Sequence, residues 1–114
     1  MFKLKNTAVF SIDFEDWFNI LGYKVNDNLS LWDRSESQIE EMGYETLKFL
    51  NENKILSTFF CLSFFAKKYP HLIKNILEEG HEVASHGFFH KKLNYLTKND
   101  LHTELYESKK IIED

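Results

Sequence analysis

The sequence predicts an α/β fold of about three βα units around a parallel sheet. Three observations carry that expectation. Short β-branched or aromatic apolar runs occur three times, helical stretches follow them, and turn signals separate the two kinds of segment. In such folds chemistry collects beyond the carboxyl ends of the strands, so polar residues at those ends are the first candidates for function.

Each element has its own signal. Residues 7–13 are short, partly alternating and β-branched, which predicts a buried first strand ending in acid at Asp13. Residues 14–34 mix polar and aromatic side chains and predict a loop. Ser35 or Ser37 is the expected cap of a helix running to about residue 53; Ile39, Met42, Leu47 and Leu50 form its apolar stripe, and Glu40 and Glu41 occupy its early turns. Residues 55–60 predict a second strand. A helical region interrupted at Pro70 follows, then a helix over 71–79 that stops at Gly80. Residues 82–85 predict a third strand, and residues 101–112 a last helix capped by Thr97 or Asn99.

Composition narrows the classes of function. The 114 residues contain four Gly and one Pro and no repeat or linker, which predicts a single unit, and a chain of this size can bury a core without staples. Eighteen acidic against fourteen basic residues give a net charge of -4, and no basic run exceeds two residues, which argues against nucleic acid as a partner. Cys61 is the single cysteine and has nothing nearby to lower its pKa, so it is expected to be a buried small hydrophobe in a reducing compartment. The short apolar run before Asp13 is neither a signal segment nor a membrane span, so the expected location is cytoplasmic. Phe59, Phe60, Phe64 and Phe65 are expected to fill core, whereas Trp17, Phe18 and Trp32 sit in the predicted loop as candidates for stacking on a sugar or walling a pocket.

Two polar clusters remain. In Asp13-Phe14-Glu15-Asp16, extended backbone puts Asp13 and Glu15 on the same side, and Asp16 can swing in once the strand turns. In His86-Gly87-Phe88-Phe89-His90, the i, i+4 spacing would place both imidazoles on one face of a helical turn, within reach of one ion. Chance alone yields about 0.2 such pairs in a chain with this histidine content, so the spacing needs support from the acids. One carboxylate and two imidazoles with an open position form a common catalytic zinc set, and a spare carboxylate can serve as general base. Asp13 plus one of Glu15 or Asp16 fills both roles. Against this stand plainer readings: strand-end acids cap turns or sit in solvated loops, His71 and His81 are structural or solvated, and His102 lies on a charged helix.

Taken in order, SIDFEDWF, STFF and GHEVASHGFFH resemble the NodB-type polysaccharide deacetylases, carbohydrate esterase family 4, in the branch whose first motif is Asp-x-Glu-Asp-aromatic-Phe. The resemblance covers about residues 9–93, and Ser85-His86 with His90 matches a His-Gly-x-x-His variant of the family's metal motif. It implies a distorted (β/α) barrel and a divalent metal, zinc foremost, held by His86, His90 and one carboxylate. Ungapped comparison and strand alternation favour Glu15 as that carboxylate, with Asp16 the second candidate. The resemblance also implies Asp13 as catalytic base, and removal of acetyl groups from N-acetylated sugars of a polysaccharide or its precursor by a metal-activated water. Trp17 and Phe18 are the substrate-binding candidates. A domain of this family is expected to run to roughly two hundred residues or more. Residues 1–114 then correspond to its N-terminal half, without the Arg motif, the substrate wall or the late Leu-x-His motif that carries the general acid. Two other functions are compatible with the same residues: a non-catalytic or half-enzyme module that assembles with a second copy or partner through an open sheet edge, and an allantoinase-like hydrolase of a cyclic amide.

Overall fold

The computed structural model describes residues 7–114. Strands β1 (Ser11–Phe14), β2 (Thr58–Cys61) and β3 (Glu82–Ser85) form one parallel sheet in sequence order. Ser11, Thr58 and Glu82 are in register at one end, and Phe14, Cys61 and Ser85 at the other. Five helices accompany them: α1 (Leu29–Trp32), α2 (Ile39–Glu52), α3 (Ser63–Lys68), α4 (Pro70–Glu78) and α5 (Lys98–Glu113).

Strand alternation sorts the sheet into two unlike faces. Phe14, Phe59 and Cys61 are buried with Leu47 and Leu50 of α2 and Leu72 and Ile76 of α4, with Ile12 and Val83 packed against that cluster. On the opposite face Ser11, Asp13 and Glu82 are exposed, and Thr58, Phe60 and Ala84 are half-buried. Parallel strands in sequence order with helices against one face are the arrangement of consecutive βα units. Asp13 lies on the other, open face.

The first two strands are shorter than the sequence predicts at their starts. Residues 7–10 are exposed and unpaired apart from Phe10, whose carbonyl accepts from the Thr58 amide at 3.1 Å. The reason lies in the partner strand. Ile55 is still closing the end of α2, its amide donating to the Leu50 carbonyl at 2.9 Å, so β2 offers no ladder before Thr58.

The predicted loop over residues 14–34 contains a 3-10 turn, Trp17–Asn19, and the short α1. Phe18 and Trp32 are fully buried with Phe65, and the Trp32 ring stacks on Phe65 at 6.3 Å and 7°. This corrects the expectation that Phe18 and Trp32 wall a sugar pocket. Large rings gain more from stacking in the core than from partial exposure, and the chain folds back over α3 to seat them. Neither Ser35 nor Ser37 is the cap of α2, which is Gln38, although the Ile39 amide donates to Ser37 Oγ at 3.4 Å. The Ser35 hydroxyl donates to the Leu31 carbonyl at 2.8 Å, and the Gln38 amide finds the carboxylate of Asp16 instead.

The remaining elements follow their signals closely. Pro70 begins α4, and Gly80 ends the segment at φ +87, a conformation that favours glycine. α5 starts three residues earlier than predicted because Thr97 and Asp100 form a reciprocal capping box. Cys61 is fully buried and its thiol is pushed up to about 12, as expected of an inert core residue. No helix of the described residues is long and apolar enough to cross a membrane.

Candidate metal centre

Glu15 is the first residue past β1 and His86 the first past β3, so parallel strands in register bring them to the same edge of the sheet. Ligand atoms of Glu15, His86 and His90 lie within 4.8 Å of one another. His86 Nε2 and His90 Nε2 each stand 3.1 Å from the same oxygen, Glu15 Oε2. The two imidazole rings are 5.1 Å apart at 43°. Two ring nitrogens and one carboxylate oxygen converging on a point form the donor set that suits a catalytic zinc ion, so these three residues fit the metal.

Asp16 points elsewhere. It is 6% exposed, its Oδ1 accepts from the Trp17 amide at 2.8 Å, and its Oδ2 accepts from the Ser37 hydroxyl at 2.5 Å and the Gln38 amide at 3.0 Å. Both oxygens are spent on starting the 3-10 turn and α2. Of the two candidate acids, Glu15 is the one beside the histidines.

The histidine pair is close for a reason other than the predicted one. Residues 86–90 form no helical turn. Gly87 has φ +79 and His90 φ +49, so the loop doubles back rather than coiling. Glu104 of α5, 5% exposed, holds the bend by accepting from the Phe88 amide at 2.6 Å and the Phe89 amide at 3.1 Å. A Cβ on Gly87 would lie 2.8 Å from Glu104 Oε2, so the carboxylate reaches these amides because residue 87 has no side chain. The Ser63 amide donates to the Gly87 carbonyl at 3.0 Å, and the Gly87 amide to Ser85 Oγ at 3.1 Å. On the far side Asn26, 2% exposed, faces His90. Glu104 and Asn26 escaped the sequence reading because each is an ordinary polar residue far in the chain from its partner. Their only signal is burial.

Other candidates fall where the plainer readings put them. His71 pairs with Glu40 at 2.8 Å on the surface; His81 is buried and accepts from the Ser57 amide at 3.2 Å; His102 stacks on Tyr106. Trp17 is 46% exposed and, with Asp13, Glu15 and Ile39, lines a cleft of about 160 Å³ between the end of β1 and α2.

The imidazole of His86 is held above its ordinary value near 6.5, first because it hydrogen-bonds Glu15, with the charges of Asp13 and Glu15 adding to this and burial opposing it. In the metal-free protein the stabilisation from this pair is therefore complete below about pH 6.5 and lost as pH rises through the raised value. Metal uptake runs the other way, because a ligand imidazole must be neutral. Melting temperature in chelator is expected to fall across that window while zinc affinity climbs. A melting temperature that is flat there would show that the His86–Glu15 pair does not form.

The polysaccharide deacetylase family profile matches residues 30–114. The chain belongs to this family. It is 34% identical over 68 residues to the chitooligosaccharide deacetylase of Sinorhizobium fredii, covering 60% of this chain and 32% of that protein. It is 36% identical over 67 residues to the peptidoglycan-N-acetylmuramic acid deacetylase PdaA of Bacillus subtilis, covering 57% of this chain and 26% of that one. A crystal structure from Mycobacterium smegmatis superimposes with a TM-score of 0.74 at 22% identity, over 92% of this chain and 37% of its own. The chain thus spans about a third or less of the length of these curated relatives. Its three βα units have the polysaccharide deacetylase fold, as the motifs implied.

Proposed function

We propose that this deacetylase-family chain supplies the metal-binding edge of a hydrolase that removes acetyl groups from N-acetylated sugars of a polysaccharide or its precursor. The observation that carries the reading is the convergence of Glu15, His86 and His90 at the sheet edge beside Asp13. The deacetylases among its relatives support a sugar amide over a cyclic one. Glu15, His86 and His90 would hold a divalent ion, zinc by its preference for nitrogen-rich, three-ligand sites. When bound, such an ion polarises an amide carbonyl and acidifies water.

The chain's own residues divide the remaining work. Asp13, on the open face two residues before Glu15, would take the proton from the attacking water at its carboxylate, a role its exposure and its position beside the donor set support. Its negative charge reaches His86, which puts it within electrostatic range of the reacting group. Trp17 offers a half-exposed indole at the mouth of the same cleft, held by its Nε1 donating to the Glu36 carbonyl at 3.0 Å, and is the residue suited to stack on a pyranose. Phe18 lies beneath it in the core and supports the ring edge-on at 5.6 Å.

Release of free amine and acetate from N-acetylated chitooligosaccharides tests the proposal. Activity that chelator removes and zinc restores is expected. Hydrolysis indifferent to chelator, or none on any N-acetylated sugar by zinc-loaded protein, would refute it.

A further inference from the structure

We infer that Asn26 is a positioning residue that fixes the ring orientation and tautomer of His90 for metal binding, an inference that rests on the metal centre proposed above. Asn26 lies before the family-matched segment of residues 30–114, on the loop that precedes α1. Its backbone is pinned to the core. The buried indole of Trp32 donates through Nε1 to the carbonyls of Val25 at 2.9 Å and Asn26 at 3.2 Å.

The side-chain amide then meets His90 at two points. Nδ2 donates to the His90 carbonyl at 3.3 Å and to Asp27 Oδ1 at 3.4 Å, so the amide nitrogen is committed to that side. Oδ1 is the atom left facing His90 Nδ1, at 3.2 Å. An acceptor opposite Nδ1 requires that nitrogen to carry the proton. The lone pair then lies on Nε2, which is the nitrogen aimed at Glu15 Oε2. An outer hydrogen bond of this kind orients a ligating imidazole and strengthens its donor atom. The contact to the backbone has a second use: His90 has φ +49, unfavourable for a residue with a side chain, and the grip on its carbonyl helps to hold that conformation.

Zinc affinity measured by chelator competition on the full chain, native against Asn26→Leu and Asn26→Asp, separates this role from mere packing. Asn26→Leu keeps the volume but offers no acceptor and is expected to weaken zinc binding about 10–100-fold. Asn26→Asp keeps an oxygen opposite Nδ1 but loses the donor to the His90 carbonyl, and is expected to recover part of that loss. Equal affinity in the native and Leu proteins would overturn the role of Asn26 and leave the metal centre standing. Absence of zinc uptake by the native protein would overturn both. A measurement on the native protein covers the case in which a variant does not fold: nitrogen-15 NMR of the zinc-loaded chain should show His90 bound through Nε2 with a slowly exchanging Nδ1 proton. Coordination through Nδ1, or an Nδ1 proton exchanging as fast as in an open imidazole, would overturn the inference.

Discussion

His86→Ala is expected to reduce the zinc content of the purified protein to background while leaving the chain folded. The imidazole provides one of three converging donors, and Glu15 and His90 alone fall short of the three protein ligands a catalytic zinc site uses. The fold should survive because the backbone role of this residue, its amide donating to the Cys61 carbonyl at 2.9 Å, does not depend on the side chain. Asp16→Ala is the informative partner. It strips acceptors from the Ser37 hydroxyl and the Trp17 and Gln38 amides and should destabilise the protein by about 1–3 kcal/mol, read by denaturant unfolding, with zinc content unchanged. Equal zinc in native and His86→Ala protein, by elemental analysis, would dismiss the site. Loss of zinc from folded Asp16→Ala would move the carboxylate ligand from Glu15 to Asp16.

For the activity proposed above, Asp13→Asn is expected to lower kcat by about 10²–10⁴-fold, the usual worth of a positioned general base, with metal binding retained. Asparagine preserves size and hydrogen bonding on the open face but cannot accept the proton from water. A second readout comes with the first. Asp13 is one of the charges that hold the His86 imidazole above its ordinary value, so its neutralisation should move the midpoint of zinc uptake to lower pH. Initial rates of amine release and a pH series of zinc affinity check both outcomes. Undiminished turnover would assign the base elsewhere, and an unmoved midpoint would place Asp13 out of range of His86.

Much of this centre was legible because parallel strands obey simple rules. Asp13 and Glu15 at the end of one strand and His86 after another had to meet at one sheet edge once the βα order was read. The same rules failed where contacts cross long stretches of chain. His86 and His90 were expected together on a helical turn and are together on a loop bent at Gly87 and His90, because the amides of Phe88 and Phe89 bond to Glu104 rather than to carbonyls four residues back. Phe18 and Trp32, one turn and one short helix inside a polar segment, are loop residues and pocket-wall candidates by their neighbours in sequence and core residues by their packing on Phe65.

The order of strands and helices, the inert buried cysteine and the residue types able to bind a metal were thus determined by sequence alone, since each depends on local periodicity or on side-chain chemistry. Strand alternation already favoured Glu15 over Asp16, but the hydrogen bonds that occupy Asp16, the bend that joins the histidines, and the buried Asn26 and Glu104 that hold it appear only in the tertiary structure. Asp16 illustrates the reason. It differs from Glu15 by one position and one methylene, yet its Oδ2 accepts from Ser37 and Gln38 more than twenty residues away, and no local pattern announces hydrogen bonds that form only when distant backbone is brought alongside.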